Sequence, residues 1–175
     1  MIGKSHHLEV KVKLKTTLIL KELEKLVKQG YLLHGTWHFT KQLSPRTFTK
    51  LRYFGLEQVG KTYREKVVYG TWDVLTAILH AVLGSPYRRN LWVQGSIKTK
   101  TGIMRLVTLW HRPQLRPGHI LILPNKNFVP SRDRSVSMVS KVPVVVVQKI
   151  VVNPSILGAL VSEHILRLER EYLNN

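Results

Sequence analysis

From residue 90 onward the chain repeats one pattern. Short apolar stretches at 90–94, 104–110, 119–123 and 142–152 alternate with turn formers: Arg112-Pro113, Arg116-Pro117-Gly118, Pro124-Asn125 and the segment 130–134. Segments this short and this regularly interrupted do not build a helical bundle. They predict strands that must share a sheet.

The first half mixes both periods. Residues 8–14 alternate apolar and polar without a slip, which predicts a half-buried strand with Glu9, Lys11 and Lys13 on its wet face. Residues 17–29 change to helical spacing, with Leu20, Leu23, Leu26 and Val27 on one face and Gly30 as the stop. Tyr31-Leu32-Leu33 predicts a short strand ending at His34-Gly35-Thr36. Ser44-Pro45 has the form of an N-cap followed by proline at the first helical position, and predicts a helix to about Phe54. A strand is expected over 65–69. Thr71 or Asp73 can then cap a helix to about Leu83, with Val74, Ala77, Ile78 and Ala81 at buried spacing. Asn153-Pro154 opens a final helix over 154–173, with Ile156, Leu160, Ile165 and Leu168 apolar. The expected fold class is α+β: one domain over 1–175 with a split, mostly antiparallel sheet and flanking helices.

With 175 residues and 43% hydrophobic content the chain can bury a core of its own. It has no cysteine, which excludes disulfides, zinc–thiolate sites and a cysteine nucleophile. The most apolar run, 142–152, is broken by Pro143, Gln148 and Lys149 and falls short of the roughly 20 residues of a membrane span. The N-terminus has no apolar signal core. An intracellular protein, cytoplasmic or nucleoid-associated, is expected, with no membrane partner.

Charge points to a partner. Twenty-eight Lys and Arg face ten Asp and Glu, for a formal net charge of +18. Such an excess repels itself in a compact chain unless a polyanion offsets it, and DNA or RNA is the expected polyanion. The basic residues are spread along the chain, which predicts a surface field and not a disordered arm. Candidate phosphate contacts are Lys11 and Lys13 on the first strand, Arg88 and Arg89 in a loop, and Lys98 and Lys100 at a hairpin tip. The plainer reading of each is a solvated surface residue.

Histidines offer little to a metal. His6-His7 lies near a terminus, and His34 and His38 flank a glycine on a strand-like stretch with no carboxylate nearby, so no metal site is predicted. A strand ending in His34-Gly35-Thr36 has another use. Glycine lets a ligand approach the backbone, whose N–H and C=O can read a carboxamide, and a neighbouring histidine can bond a ribose hydroxyl.

Further motifs follow in order: Val67-Val68-Tyr69-Gly70-Thr71-Trp72-Asp73, a helix bearing Ala77 and Ala81, Leu115 to Pro124, and Val139-Ser140-Lys141-Val142-Pro143-Val144. The ordered set, over about 31–152, resembles the ADP-ribosyltransferase fold and its relatives, the RNA 2′-phosphotransferases. The resemblance implies that NAD is the cofactor, with His34 on the adenosine-side ribose, Gly35 and Thr36 at the nicotinamide end and Tyr69 against the nicotinamide ring. It implies an NAD-dependent transferase, and the basic charge adds the expectation that the substrate is nucleic acid or a protein bound to it. One departure is plain. Transferring members carry a glutamate before the later Ser–Pro-Val strand, where this chain has Ser137. Serine cannot stabilise oxocarbenium charge as a carboxylate does. Asp133 is the nearest acid in sequence. The alternatives are a non-enzymatic nucleic-acid-binding protein and a structural subunit of a nucleoprotein or viral particle.

Overall fold

The computed structural model describes residues 3–51, 62–84, 92–99, 102–109, 114–131 and 137–170. Its elements, in chain order, are α1 (Gly3–Lys28), β1 (Tyr31–Thr36), β2 (Gln42–Leu43), β3 (Arg46–Leu51), β4 (Thr62–Thr71) and α2 (Val74–Leu83). There follow β5 (Trp92–Thr99), β6 (Gly102–Leu109), β7 (Gly118–Pro124), β8 (Val129–Pro130), β9 (Ser137–Ser140), β10 (Val144–Val145), β11 (Gln148–Val152), α3 (Ser155–Ser162) and β12 (Leu166–Arg170). The class is α+β. The main sheet runs β11-β7-β1-β4-β9-β8, with β3 also on β4, and each pairing in it is antiparallel. A smaller sheet, β12-β6-β5, has one parallel pair, β12 on β6. β10 and β2 form a short ribbon.

Strand alternation fills both faces of the main sheet. Leu33, Ile120, Ile122 and Val152 point to one core together with α2, α3, Leu23 and Leu26 of α1, and Val107, Leu109 and Leu166 of the smaller sheet. Leu32, Val68, Leu121, Leu123, Phe128 and Val144 make a second core on the opposite face. Each fully buried Leu or Ile contributes about 1.5–3 kcal/mol against the chain entropy.

α2 lies at the centre of the larger core. Asp73 caps it, accepting from Thr76 N at 3.2 Å, and Gly84, at φ 77°, ends it. Its packing is backbone to backbone. A Cβ on Gly35 of β1 would overlap Ala77 O and stand 2.7 Å from Ala81 N; one on Gly118 of β7 would stand 2.6 Å from the Ala81 carbonyl carbon. Gly35 and Gly118, with Ala77 and Ala81 a turn apart, bring this helix onto the sheet.

Four expectations are overturned. The strand expected over 8–14 is helix: α1 runs unbroken from Gly3 to Lys28. The same residues also carry Leu8, Val12 and Thr16 at four-residue spacing, continuing into Ile19, Leu23 and Leu26, and no Gly or Pro interrupts before Gly30. The helix expected from Ser44-Pro45 to Phe54 is instead β3, whose Thr-Phe-Thr favours strand and which pairs Arg46–Leu51 with the first half of β4.

The single strand expected over 142–152 is two. β10 pairs with β2, then the chain crosses to β7 as β11, with Val146 N bonded to Lys41 O and Val147 N to Ile122 O at the crossing. The helix expected over 154–173 stops at Ser162. His164 adopts φ 56°, its N–H bonds Val161 O and the Ile165 N–H bonds Leu160 O, a Schellman closure. Beyond it Leu166-Arg167-Leu168 alternates and joins β6.

Candidate functional site

β1 and β4 touch through one register pair, Leu33 and Thr71. Past that point β1 continues along β7 alone, while β4 turns to β9 and then to β3. Residues 34–36 and the middle of β4 therefore border an opening in the sheet. His34 bridges it: Nδ1 lies 2.8 Å from the Tyr69 carbonyl oxygen. A carbonyl only accepts, so Nδ1 carries the proton, and in the neutral ring Nε2 is left as an acceptor.

The surroundings keep that ring neutral. Burial pushes the His34 imidazole below its usual range; the bond to Tyr69 opposes the shift and the Arg46 guanidinium adds to it. On α2, burial takes His80 down to about 4, and His34 acts in the same direction. Each residue keeps a strip of surface in solvent. Both imidazoles are thus held neutral, His34 on β1 and His80 on α2, whose Cβ lies beside Gly35.

The other expected residues are placed unevenly. Gly35 is required by α2, whose backbone fills the space where its side chain would be. Thr36 ends β1, and its hydroxyl accepts from His38 N at 3.2 Å. Ser137 begins β9 opposite Thr71, which in turn stands opposite Leu33. Residues in register share a face, so Ser137 and Tyr69 lie on the Leu33 side of the sheet, whereas His34 and Thr36 alternate to the Leu32 side. Lys98 is exposed on β5, away from this opening. Asp133, Arg88, Arg89 and Lys100 lie outside the described residues. Lys11 and Lys13 fall on α1, with their side chains outside the described set.

Several neighbours were not singled out from the sequence. Glu65, the acid of β4, is four residues before Tyr69 and on the same face; its Oε2 is shut from solvent with no hydrogen-bond partner among the described residues. His80 was hidden in an apolar helix. At the N-terminus of α2, Asp73 also pairs with Arg105 of β6, Thr76 Oγ1 donates to Asp73 Oδ2 at 3.0 Å, and Gln94 Nε2 of β5 donates to Thr76 Oγ1 at 3.0 Å. That clip ties α2 to the smaller sheet. Strand alternation could have flagged Glu65; the register that makes the clip could not be read in advance.

Comparison of the chain with protein-family models, curated proteins and solved structures finds no match. Among the described residues no group of three or more His, Asp or Glu is placed to hold a metal, and no helix is long and apolar enough to cross a membrane.

Proposed function

We propose that the chain is an ADP-ribosyltransferase-like protein that takes NAD in the opening between β1 and β4 and acts on nucleic acid or a nucleic-acid-associated protein. The observation that carries this reading is His34. Its bond to the Tyr69 carbonyl fixes the tautomer and leaves Nε2 as an acceptor, the role a ribose hydroxyl needs. The donor set fits such a ligand: His34 for a ribose, the backbone at Gly35 and Thr36 for a carboxamide, and the Arg46 cation near enough to act on His34, for phosphate. The +18 charge supports the nucleic-acid half.

A second reading is a nucleic-acid-binding protein that keeps this architecture without catalysis. Ser137 favours it, being neutral and on the sheet face away from His34. Calorimetry with NAD, with and without an oligonucleotide, separates the two. NAD binding that weakens about tenfold or more in His34→Ala, a loss in the range of one buried hydrogen bond, supports the first. Nucleic-acid binding with no heat from NAD supports the second.

A further inference from the structure

We propose that the side chains where β1 leaves the sheet form a stacking platform for an unpaired nucleic-acid strand. This deepens the nucleic-acid half of the proposed function and does not depend on the cofactor. Phe39 follows β1 and keeps 44% of its surface exposed, unusual for a phenylalanine in a chain with two well-filled cores. Lys149 Nζ of β11 stands 4.1 Å from its ring centroid, and the His119 ring of β7 lies 6.1 Å away, tilted by 58°. Two residues earlier, Trp37 carries the Arg116 guanidinium 5.2 Å from its centroid. Its indole is held against Gly84, where an added Cβ would stand 2.7 Å from Cζ2. Two polar atoms in this group, Trp37 Nε1 and His119 Nδ1, are buried with no hydrogen-bond partner among the described residues.

The fold fixes the arrangement. Thr36 is in register with His119, and His119 with Val151, so the chain leaving β1 crosses strands whose pairing sets the positions of Lys149 and His119. Segments 34–41, 114–124 and 144–153 contain no Asp or Glu, while Lys41, Arg116 and Lys149 are all exposed. Cations crowded without counter-charge attract phosphate, and aromatic rings set among them offer faces to bases. A duplex would meet only the cations, because its base faces are already stacked.

The test is fluorescence anisotropy on the full chain. Probes are a labelled single strand of about 12 nucleotides, within the span of one such groove, as DNA and as RNA, and the matching duplex. Salt is varied throughout. Phe39→Ala is expected to weaken single-strand binding about tenfold and leave duplex binding and the salt slope unchanged; Phe39→Trp is expected to keep it. Lys149→Gln should reduce the salt slope by about one. If Phe39→Ala does not fold, Phe39→Leu keeps the apolar volume and reads the same loss of stacking. Equal losses on single strand and duplex, no loss at all, or binding to phosphatidylserine vesicles in preference to the oligonucleotides would overturn the platform. NAD titration of the same variants keeps the readings apart. A failed platform with nucleic-acid binding intact removes this inference alone, and a wild type that binds no oligonucleotide removes that half of the proposed function too.

Discussion

Gly35 and Ala77 meet backbone to backbone: the place where a Gly35 side chain would begin is taken by the Ala77 carbonyl. No rotamer change can relieve that overlap, because the neighbour is main chain in the middle of a buried helix. Gly35→Ala, and Gly118→Ala for the same reason, should each cost at least about 3 kcal/mol, the upper part of the overpacking range. Gly158→Ala, with nothing within 4 Å of its Cβ and a place inside α3, should instead be neutral or gain up to about 1 kcal/mol. Urea midpoints of the three variants check this. A Gly35→Ala as stable as wild type would mean that α2 does not pack as described.

A second expectation concerns acid. His34 and His80 are held neutral in the fold, both below the ordinary value of 6.5 and His80 near 4. As pH falls through 6.5 the unfolded chain takes up protons that the folded chain refuses. Stability is therefore complete above about pH 6.5 and declines below it, the His80 share by about 1.4 kcal/mol per pH unit until about pH 4, with His34 acting in the same direction. His80→Gln should make the acid limb shallower by about one such increment. Urea unfolding at pH 7.5, 6.0 and 5.0 reads it, and an unchanged slope in the variant would refute the assignment.

His164 closes α3 in the left-handed region without being glycine. That conformation costs about 1–2 kcal/mol for a residue with a Cβ. His164→Gly should raise stability by about 0.5–1.5 kcal/mol, offset in part by the freer unfolded chain. A thermal melt that moves down on this substitution would show that the His164 side chain contributes more than its backbone strain costs.

Asp73 has two roles that substitution can separate. It caps α2 through Thr76 N and pairs with Arg105, the two side chains keeping 14% and 22% of their surface exposed. Asp73→Ala should lose about 1 kcal/mol for the cap and more for the stranded Arg105. Asp73→Asn should recover the cap but not the charge. Equal losses in the two variants, measured by urea titration, would assign the whole effect to the ion pair.

Much of this fold is legible because sequence period and burial agree. Tyr31-Leu32-Leu33 and 119–123 read as strands and are strands, since their alternate residues feed two different cores. The Asp73 cap and the Gly84 stop are local signals, readable without tertiary context. The failures share a cause in ambiguity between periods. Residues 8–14 satisfy a two-residue and a four-residue repeat together, and the helix beside them decides. Beyond Ser162 an apolar pattern compatible with helix is ended by a histidine in a glycine conformation, which nothing in its chemistry announces. At the site, His34 and Tyr69 were legible as strand residues, but their meeting depends on where β1 and β4 part. The Gly35 backbone looked open to a ligand in sequence, and its need for glycine comes from Ala77.

The last expectation concerns the acid that ribosyl transfer requires. Developing oxocarbenium charge needs a carboxylate near it, and Ser137 supplies none. Its register with Thr71 and Leu33 directs it to the α2 side of the sheet, so a glutamate built there is aimed away from His34. Ser137→Glu is therefore expected to leave nicotinamide release from NAD unchanged. Glu65 is no better placed. By strand alternation it shares the face of Tyr69 and Thr71, the same Leu33 side as Ser137, although its buried Oε2 lacks a partner among the described residues. Glu65→Gln, nearly isosteric and without charge, should therefore also leave nicotinamide release unchanged, with NAD affinity, read by calorimetry, moving by less than about twofold. Asp133, the nearest acid in sequence to Ser137, remains, and Asp133→Asn should lower release at least tenfold. Loss of release in Glu65→Gln with Asp133→Asn intact would transfer the role to Glu65. No release from wild type or any variant, alongside tight oligonucleotide binding, would remove the transferase reading and leave a nucleic-acid-binding protein.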